Sequence, residues 1–414
     1  MLIQWWPILN NTGRSKFISL GRIFITGIGV ISAIGKTVAE NHAALKNGIC
    51  GISNSSSLQS RYAHMLPFGE VKIHSKDLHH ILNIKQPGVT RTSLLALHAF
   101  DEAVNDAGLS AKEIGSVDTA LIGATTVGGM CLTDDLYEDA HKANNGSEYL
   151  ESYDCASVNI FLQSQYSMRG VINTINTACS SSANAIMYGC RLLKSGYAKR
   201  AIVGGADSLA KFTINGFNAL HILSAEYCAP FDENRKGLNL GEGAAFLVLE
   251  KEEDITNKKV YAEVSGYCNS NDAFHPSSLS EHADGPFLAM QGAMQSAGID
   301  AREVNYINAH GTGTENNDEV ESKAILRLFQ KIPAFASSKS NIGHTLGAAG
   351  AIEAVYAALN LQQQEIYPSL NFKDPIPETK LIPVQSFEKS TLKHVMSNSF
   401  GFGGNCTSLI FSQA

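Results

Sequence analysis

The stretch VINTINTACSSSANAIMYGCRLL, residues 171–193, passes from a short apolar strand to an amphipathic helix within a few positions. Its first apolar residues cluster as in a strand, and the later ones recur every three or four positions, as on one face of a helix. Cys179 lies between the two, directly ahead of three serines. A strand, a turn and a helix in succession predict a layered α/β protein with a cysteine at a helix start.

The same alternation of strands and helices recurs on both sides of this stretch. Further strands are predicted at 22–30, 120–123, 200–206, 243–249, 260–264 and 304–309 and near residues 395 and 409. Further helices are predicted at 91–107, 287–297, 318–329 and 345–361. Residues 130–145 interrupt the pattern as a polar excursion.

The pattern restarts after a charged linker at 250–259, although no sequence repeat is visible. We therefore predict an internal structural duplication with two βα-rich halves. The predicted domains are an N-terminal extension (1–21), a first half (22–259) that carries the cysteine and a second half (260–414) that carries two candidate histidines.

The composition excludes several classes of function. The 414 residues are 44% hydrophobic, and the net charge of -7 without a basic block argues against a nucleic-acid groove. The apolar patch at residues 2–9 is too short to span a bilayer and has no basic region before it, so we predict neither a membrane span nor a secretory signal. Eight scattered cysteines without Cys-x-x-Cys pairs or metal-type spacing predict free thiols and a cytoplasmic location.

Cys179 is the candidate nucleophile. The free N–H groups and the dipole at a helix start favour the thiolate, which is the reactive form of cysteine. A thiolate can attack a thioester at little cost in free energy, since one thioester replaces another. The alternative is a cysteine packed in the core, where free cysteines usually lie. The serine run at 180–182 is too polar for an ordinary packed strand end and favours the catalytic interpretation.

Two histidines lie in glycine-containing loops at predicted strand ends: His310 in NAHGTGT, residues 308–314, and His344 in KSNIGH, residues 339–344. Two neutral imidazoles can donate Nε2–H hydrogen bonds to the oxygen of an enolate. The charge of Lys339 would keep both imidazoles neutral. The alternatives are structural histidines at strand ends and a solvated lysine. With Cys179, the two histidines predict covalent catalysis on a thioester.

Two further motifs each have a structural and a functional interpretation. Asp318 and Glu321 suggest a catalytic pair, but their spacing ahead of an apolar helix pattern predicts a capping box at a helix start. The glycine-rich turn at 398–405 contains Phe400 and Phe402. It is either a tight hairpin with packed phenylalanines or a loop whose backbone N–H completes an oxyanion hole while a phenylalanine gates an apolar tunnel.

Taken together, these motifs resemble the β-ketoacyl-acyl-carrier-protein synthases, the elongating condensing enzymes of the thiolase superfamily. The likeness runs from about Arg22 to Phe411. The matching stretches follow the order of the family: residues 177–180, 230–232, 241–243, 309–312, 339–350 and 400–404. The resemblance implies a dimer and an α/β fold of the thiolase type, with five αβαβα layers built from two duplicated halves.

The resemblance also implies roles for individual residues. The catalytic set would be Cys179 as acyl acceptor, His310 and His344 for malonyl decarboxylation and enolate stabilisation, and Lys339 for the electrostatics. Thr312 and Thr314 would bind the pantetheine arm, and the N–H groups of Cys179 and Phe402 would form the oxyanion hole. Phe402, near Phe400, would gate the acyl pocket. A structural monovalent cation would be held by Asn308, Glu353, Ser397 and Asn398.

The implied reaction is a decarboxylative Claisen condensation, in which acyl-Cys179 and malonyl-acyl-carrier protein give β-ketoacyl-acyl-carrier protein and CO2. It needs no cofactor beyond the 4'-phosphopantetheine of the carrier protein. The partners would be that carrier protein and either a second copy or a ketosynthase-like chain-length factor. Departures from the family pattern at residues 33–34, 88–92 and 406 favour a specialised polyene or polyketide pathway over ordinary fatty-acid elongation.

Two alternatives stay open at this point. A degradative thiolase needs a base, commonly a second cysteine just ahead of the last glycine turn, where this chain has Ser399 and Phe400, with Cys406 beyond the turn. A noncatalytic subunit that sets chain length needs no nucleophile. Cys179 and the two histidines argue against that role.

Overall fold

A ten-stranded mixed sheet runs through the chain, with helices on both of its faces. The structure is a computed structural model, and it describes residues 21–414 apart from 56, 59, 143–145 and 148. The strands are β1 (Ile23–Ile31), β2 (Ser53–Asn54), β3 (Pro67–Phe68), β4 (Thr119–Ala124), β5 (Ile172–Ile175), β6 (Arg200–Asp207), β7 (Gly243–Lys251), β8 (Ala262–Asn271), β9 (Tyr306–Asn308), β10 (Ala334–Ala336), β11 (Glu365–Ile366), β12 (Glu388–Lys389), β13 (His394–Phe400) and β14 (Asn405–Ser412). The helices are α1 (Val38–Lys46), α2 (Ser75–Ile81), α3 (Arg91–Asp106), α4 (Ala111–Ile114), α5 (Thr133–Lys142), α6 (Ser157–Tyr166), α7 (Ser181–Lys194), α8 (Lys211–Ala219), α9 (Asp284–Ala297), α10 (Glu315–Leu328), α11 (Lys339–Ile342) and α12 (Ala349–Gln363).

The sheet consists of two halves with the same topology. Its strand order is β10-β9-β13-β14-β8-β1-β7-β6-β4-β5. Numbered within its own half, each five-stranded set has the order 3-2-4-5-1, with parallel pairing among the first three strands of that order and antiparallel pairing among the rest. The halves join where β1 pairs with β8, at Phe24 and Ile25. This confirms the predicted duplication, while the domain boundaries stay a prediction.

The helices complete five layers around these two halves. α3 and α6 cover the outer face of the first half, α9 covers that of the second, and α10 packs against α9. α7 and α12 pack against each other between the halves and contact strands of both. The residues of α12 from Ala349 to Leu361 are all buried, as expected for a helix that is apolar around most of its surface, and they include the polar residues Glu353 and Asn360. The predicted thiolase-like αβαβα fold is therefore confirmed.

One segment differs from its sequence-based description. The polar excursion at 130–145 contains the regular helix α5, preceded by a short 3-10 turn at Met130–Leu132. Acidic residues occupy its first turn and basic ones its last, which suits the helix dipole, and Lys142 pairs with Glu138 one turn earlier. The placement of charged residues at its two ends thus stabilises α5, although its sequence shows no broad apolar face.

Apart from residue 21, the predicted N-terminal extension (1–21) lies outside the described residues. Within the described part of the chain, no helix is both long and apolar enough to cross a bilayer. All eight cysteines are described, and each of them is free.

Close packing between α3 and β1 yields a stability prediction. A Cβ added at Gly29 would lie 2.1 Å from the carbonyl oxygen of Ala99, so the helix would have to move off the strand. We expect Gly29→Ala to lower the free energy of unfolding by about 1–3 kcal/mol or more. Gly216→Ala, in α8 with open space around the added Cβ, is the matched control and should be neutral or raise stability by up to about 1 kcal/mol. Thermal melting of both variants checks the contrast, and equal melting temperatures would contradict it.

Candidate active site

A strained turn places Cys179 between β5 and α7. Ala178 has a φ of +53°, a left-handed conformation that is uncommon for residues other than glycine. Ser181 Oγ accepts a hydrogen bond from Thr177 N (2.8 Å) and donates to Ala178 O, which holds the turn. The loop after β13 approaches so closely that a Cβ at Gly401 would lie 2.8 Å from Thr177 O. Cys179 therefore sits one residue ahead of the N-cap of α7, facing the second half.

The structure brings Cys179, His310 and His344 together from three distant parts of the chain. The Nε2 atom of His344 lies 3.0 Å from Cys179 Sγ. The two imidazoles meet edge to face, with ring centroids 5.4 Å apart. Lys339 Nζ lies 3.4 Å from His310 Nδ1 and forms an ion pair with Glu353. All of these side chains are buried.

The hydrogen-bond partners of the two rings assign the same tautomer to both. Leu346 N donates to His344 Nδ1 over 3.3 Å, so the proton of a neutral His344 lies on Nε2. The ammonium group of Lys339 faces His310 Nδ1, which likewise leaves the proton of His310 on Nε2. Each imidazole thus carries an N–H donor on the atom away from its anchoring group.

Electrostatics keeps both imidazoles neutral. Burial lowers the pKa of His310 well below its usual value, and the positive charge of Lys339 and the neighbouring His344 add to the effect. Burial and Lys339 lower the pKa of His344 in the same way. At neutral pH both rings therefore act as hydrogen-bond donors through Nε2 rather than as cations.

Burial also shifts the pKa of Cys179, in the direction opposite to the shift expected from the helix dipole. Burial raises the pKa of Cys179 to about 11, although Lys339 and the backbone N–H groups of Phe402 and Cys179 itself oppose this shift. Burial therefore opposes the thiolate that the helix start is expected to favour. The backbone N–H groups of Phe402 and Cys179, which act on the pKa of this thiol, are the pair expected to form the oxyanion hole.

A cavity of about 370 Å³ opens onto Cys179 and both histidines. Thr312 and Thr314 line it, with their hydroxyl groups joined by a 2.8 Å hydrogen bond. Phe402 also lines it and stacks on Phe217, with centroids 5.7 Å apart and ring planes 19° from parallel. Phe400 borders the same space and packs against the ring of His310. The expected pantetheine and gating residues thus share one cavity with Cys179, His310 and His344.

The capping-box prediction for Asp318 and Glu321 is wrong. α10 begins at Glu315, so both acids lie inside the helix and are fully buried. Glu321 accepts hydrogen bonds from the backbone N–H groups of His310 (2.9 Å) and Gly311 (2.8 Å), and burial raises its pKa to about 7. Asp318 accepts from Gly313 N in the same loop (3.1 Å). Both acids fix the loop that carries His310.

The expected cation ligands meet where β9, β13 and α12 come together, and their atoms fit a cation only in part. Asn308 and Ser397 are paired neighbours, and Asn308 Nδ2 donates to the main-chain oxygen of Glu353. Glu353 Oε2 is a buried acceptor without a hydrogen-bond donor. The side chain of Asn398 instead bonds Glu321 through Nδ2 and Ser408 through Oδ1. Among the fully buried side-chain atoms of these four residues, Glu353 Oε2 is the one without a hydrogen-bond partner.

The geometry also bears on two other interpretations of these residues. The ligand-type atoms of Cys179, His310 and His344 lie within 4.8 Å of one another, close enough for a metal ion. The buried ammonium of Lys339 beside His310 would repel a divalent cation at that point. Cys406, the remaining candidate for a thiolase base, is buried and directs its Sγ to Gly404 O, away from the cavity lining.

Comparison with known proteins identifies the family of the chain. The domain described as "Beta-ketoacyl synthase, N-terminal domain" matches residues 21–255, and "Beta-ketoacyl synthase, C-terminal domain" matches residues 261–373. The putative mitochondrial 3-oxoacyl-[acyl-carrier-protein] synthase of Schizosaccharomyces pombe is 33% identical, over 95% of this chain and 99% of that protein.

Solved structures point to the same family. The ishigamide ketosynthase/chain length factor superposes with a TM-score of 0.87 at 29% identity, over 95% of this chain and 99% of that one. The ketosynthase ApeO of Xenorhabdus doucetiae, solved in complex with its chain length factor ApeC, gives 0.84 at 29% identity, over 96% and 100%. The chain therefore belongs to the β-ketoacyl synthase family and is an acyl-transferring condensing enzyme.

Proposed function

We propose that this protein condenses an acyl group on Cys179 with malonyl-acyl-carrier protein to give β-ketoacyl-acyl-carrier protein and CO2. The observation that carries the proposal is one cysteine sulfur beside two neutral imidazoles, each with its Nε2–H directed away from its anchoring group. A thiol supplies the acyl acceptor, and paired donors suit an oxygen that becomes negative during the reaction.

In the first step Cys179 attacks the thioester of acyl-carrier protein. The oxygen of the tetrahedral intermediate accepts hydrogen bonds from the backbone N–H groups of Cys179 and Phe402, both of which lower the pKa of the Cys179 thiol. Collapse forms acyl-Cys179, and the thiol proton ends on the departing pantetheine thiol. Thr312 and Thr314, whose hydroxyls line the cavity, bind the pantetheine arm in both steps.

In the second step malonyl-carrier protein loses CO2. The thioester oxygen of the malonyl group accepts the Nε2–H donors of His310 and His344 as the carbon–carbon bond to the carboxylate breaks and the enolate forms. The enolate carbon then attacks the carbonyl carbon of acyl-Cys179, and the Cys179 thiolate is the leaving group. Lys339 contributes to this step indirectly, because its charge keeps both imidazoles neutral.

The acyl chain enters past Phe402. Its ring stacks on Phe217 of α8 within the cavity, so the acyl group must displace or pass this pair. We also propose that a structural cation binds where β9, β13 and α12 come together, with Glu353 Oε2, which is buried and has no hydrogen-bond partner, as one of its ligands. The domain division at 259/260 is likewise proposed, with the nucleophile in the first half and both histidines in the second.

We further propose that the chain works in a specialised polyene or polyketide pathway, paired with a noncatalytic ketosynthase-like chain-length factor, with a homodimer as the alternative. Two similar structures are described as ketosynthases with chain length factors. β5 is an edge strand whose residues are half-buried or exposed. Val171, which directly precedes β5 in the chain, and Ile160 on α6 are exposed apolar residues. An unpaired edge with apolar neighbours suits strand pairing with another subunit.

The nucleophile is tested by Cys179→Ala. Intact mass after incubation with acyl-carrier protein should show one acyl adduct on the native chain and none on the variant, since the attacking sulfur is gone. Cys190→Ala, which removes a buried cysteine of α7 outside the cavity, is the matched control and should keep the adduct. An adduct on Cys179→Ala would contradict the assignment.

The histidines are tested by separating the two steps. His310→Ala and His344→Ala should still form acyl-Cys179, because the oxyanion hole for that step is backbone. Release of CO2 from malonyl-carrier protein should fall by about 100- to 1,000-fold in each, as for the loss of one oxyanion donor. His98→Ala, a surface histidine bonded to Lys36 O, is the control. Unchanged CO2 release from both variants would refute the donor role.

The partner is tested at the β5 edge. A charge on an edge strand opposes pairing, so Val171→Lys should weaken assembly with a coexpressed chain-length factor, while Ile81→Lys at an exposed site on α2 should not. Sedimentation of the purified complexes measures the assembly. A stable homodimer that elongates ordinary saturated acyl-carrier proteins would instead favour fatty-acid synthesis.

A further inference from the structure

Asp207, the last residue of β6, is a fully buried carboxylate that does not line the cavity. Its Oδ1 accepts hydrogen bonds from Thr125 Oγ1 (2.6 Å) and Val127 N (2.8 Å). Its Oδ2 accepts from Thr126 Oγ1 (2.7 Å) and from Gly347 N (2.7 Å). Each of these groups donates, so Asp207 ties a loop of the first half to a turn of the second. Losing it would leave buried N–H groups unpaired, which is costly.

The turn that Asp207 holds is the one that follows His344. Leu346 N, adjacent to Gly347, donates the 3.3 Å hydrogen bond to His344 Nδ1. Leu346 has a φ of +52°, a left-handed conformation that is unfavourable for a residue with a side chain. Such a conformation persists only where its surroundings fix it. The next N–H along the chain is fixed by the carboxylate of Asp207.

Other contacts of His344 do not replace this one. Its backbone N donates to Asn239 O (2.7 Å), and its carbonyl accepts from Gly241 N (2.9 Å). These bonds place the residue in the fold but leave both ring nitrogens free to carry the proton. The Leu346 N–H, in contrast, requires Nδ1 to be an acceptor and so leaves the proton on Nε2, facing Cys179.

We propose that Asp207 is a positioning residue that, through Gly347 and the Leu346 turn, holds His344 in the Nε2–H tautomer towards the reacting groups. Its effect on catalysis rests on the proposed function, whereas its effect on the imidazole does not. Decarboxylation uses the donor of His344, and acyl transfer uses the backbone oxyanion hole. Loss of the Asp207 contact should therefore separate the two steps, which a general loss of stability would not do.

Two variants disturb the contact from opposite sides. Asp207→Asn replaces one carboxylate oxygen by an amide NH2 group, which cannot accept a hydrogen bond from the buried donor that faces it. Gly347→Ala keeps the carboxylate but adds a Cβ 2.8 Å from Asp207 Oδ2, which pushes the turn away. In both, CO2 release from malonyl-carrier protein should fall about tenfold or more, while acyl transfer to Cys179 falls by less than about threefold. Glu102→Gln is the control, because this carboxylate also accepts two backbone N–H groups, from Val30 and Val38, but far from His344.

A readout independent of activity is the imidazole 15N spectrum of histidine-labelled protein, with His344→Ala assigning the signal. Native protein should show His344 as a single Nε2–H tautomer, and both variants should show a mixture. An unchanged tautomer, or an equal fall in both partial reactions, would overturn the inference. If Asp207→Asn does not fold, Gly347→Ala decides the question. Native protein that performs neither partial reaction would refute the proposed function while leaving the tautomer test intact.

Discussion

A positive charge buried beneath two imidazoles is the constraint on which this site depends. Lys339 and Glu353 lie in the core, where neither charge is tolerated without the other, and breaking such a pair by removing one partner costs about 3–5 kcal/mol. The pair adds little net stability compared with apolar packing. Its value is electrostatic, since the ammonium lowers the pKa of both imidazoles and fixes the proton of His310 on Nε2. A neutral residue of equal volume would fill the space without directing those donors.

The duplicated topology explains where this charge can be placed. Each half alone is a five-stranded sheet with one helix-covered outer face, and the inner faces meet across α7 and α12. The cysteine comes from the start of α7 in the first half, and the histidines come from loops of the second. These three side chains therefore meet at the junction of the halves. A site built in this way exists only when both halves are packed together.

Much of this arrangement could be predicted from the sequence, because strands, helices and glycine-rich loops leave local patterns. The βα unit at 171–193, the two histidine loops and the final glycine turn all lie where their spacing indicated. The sequence does not predict the roles of Asp318 and Glu321. A carboxylate that accepts hydrogen bonds from the N–H groups of a loop, as Glu321 does from His310 and Gly311, leaves no periodic pattern in the sequence. The role of Asp207 cannot be predicted for the same reason. The protonation of Cys179 depends on burial by residues far away in sequence, whereas the helix start beside it is visible locally.

The order of the strands has a consequence for how the chain folds as it is synthesised. The first half can complete its own sheet once β7 has formed, but the inner helix α7 has no α12 against it until residue 363 is made. Until then an apolar helix face and the edge of β1 that β8 later pairs with stay in contact with water. Such a nascent half exposes the surfaces that drive misassembly of large proteins. The period between completion of β7 and completion of α12 is therefore the stage of synthesis at which misassembly is favoured.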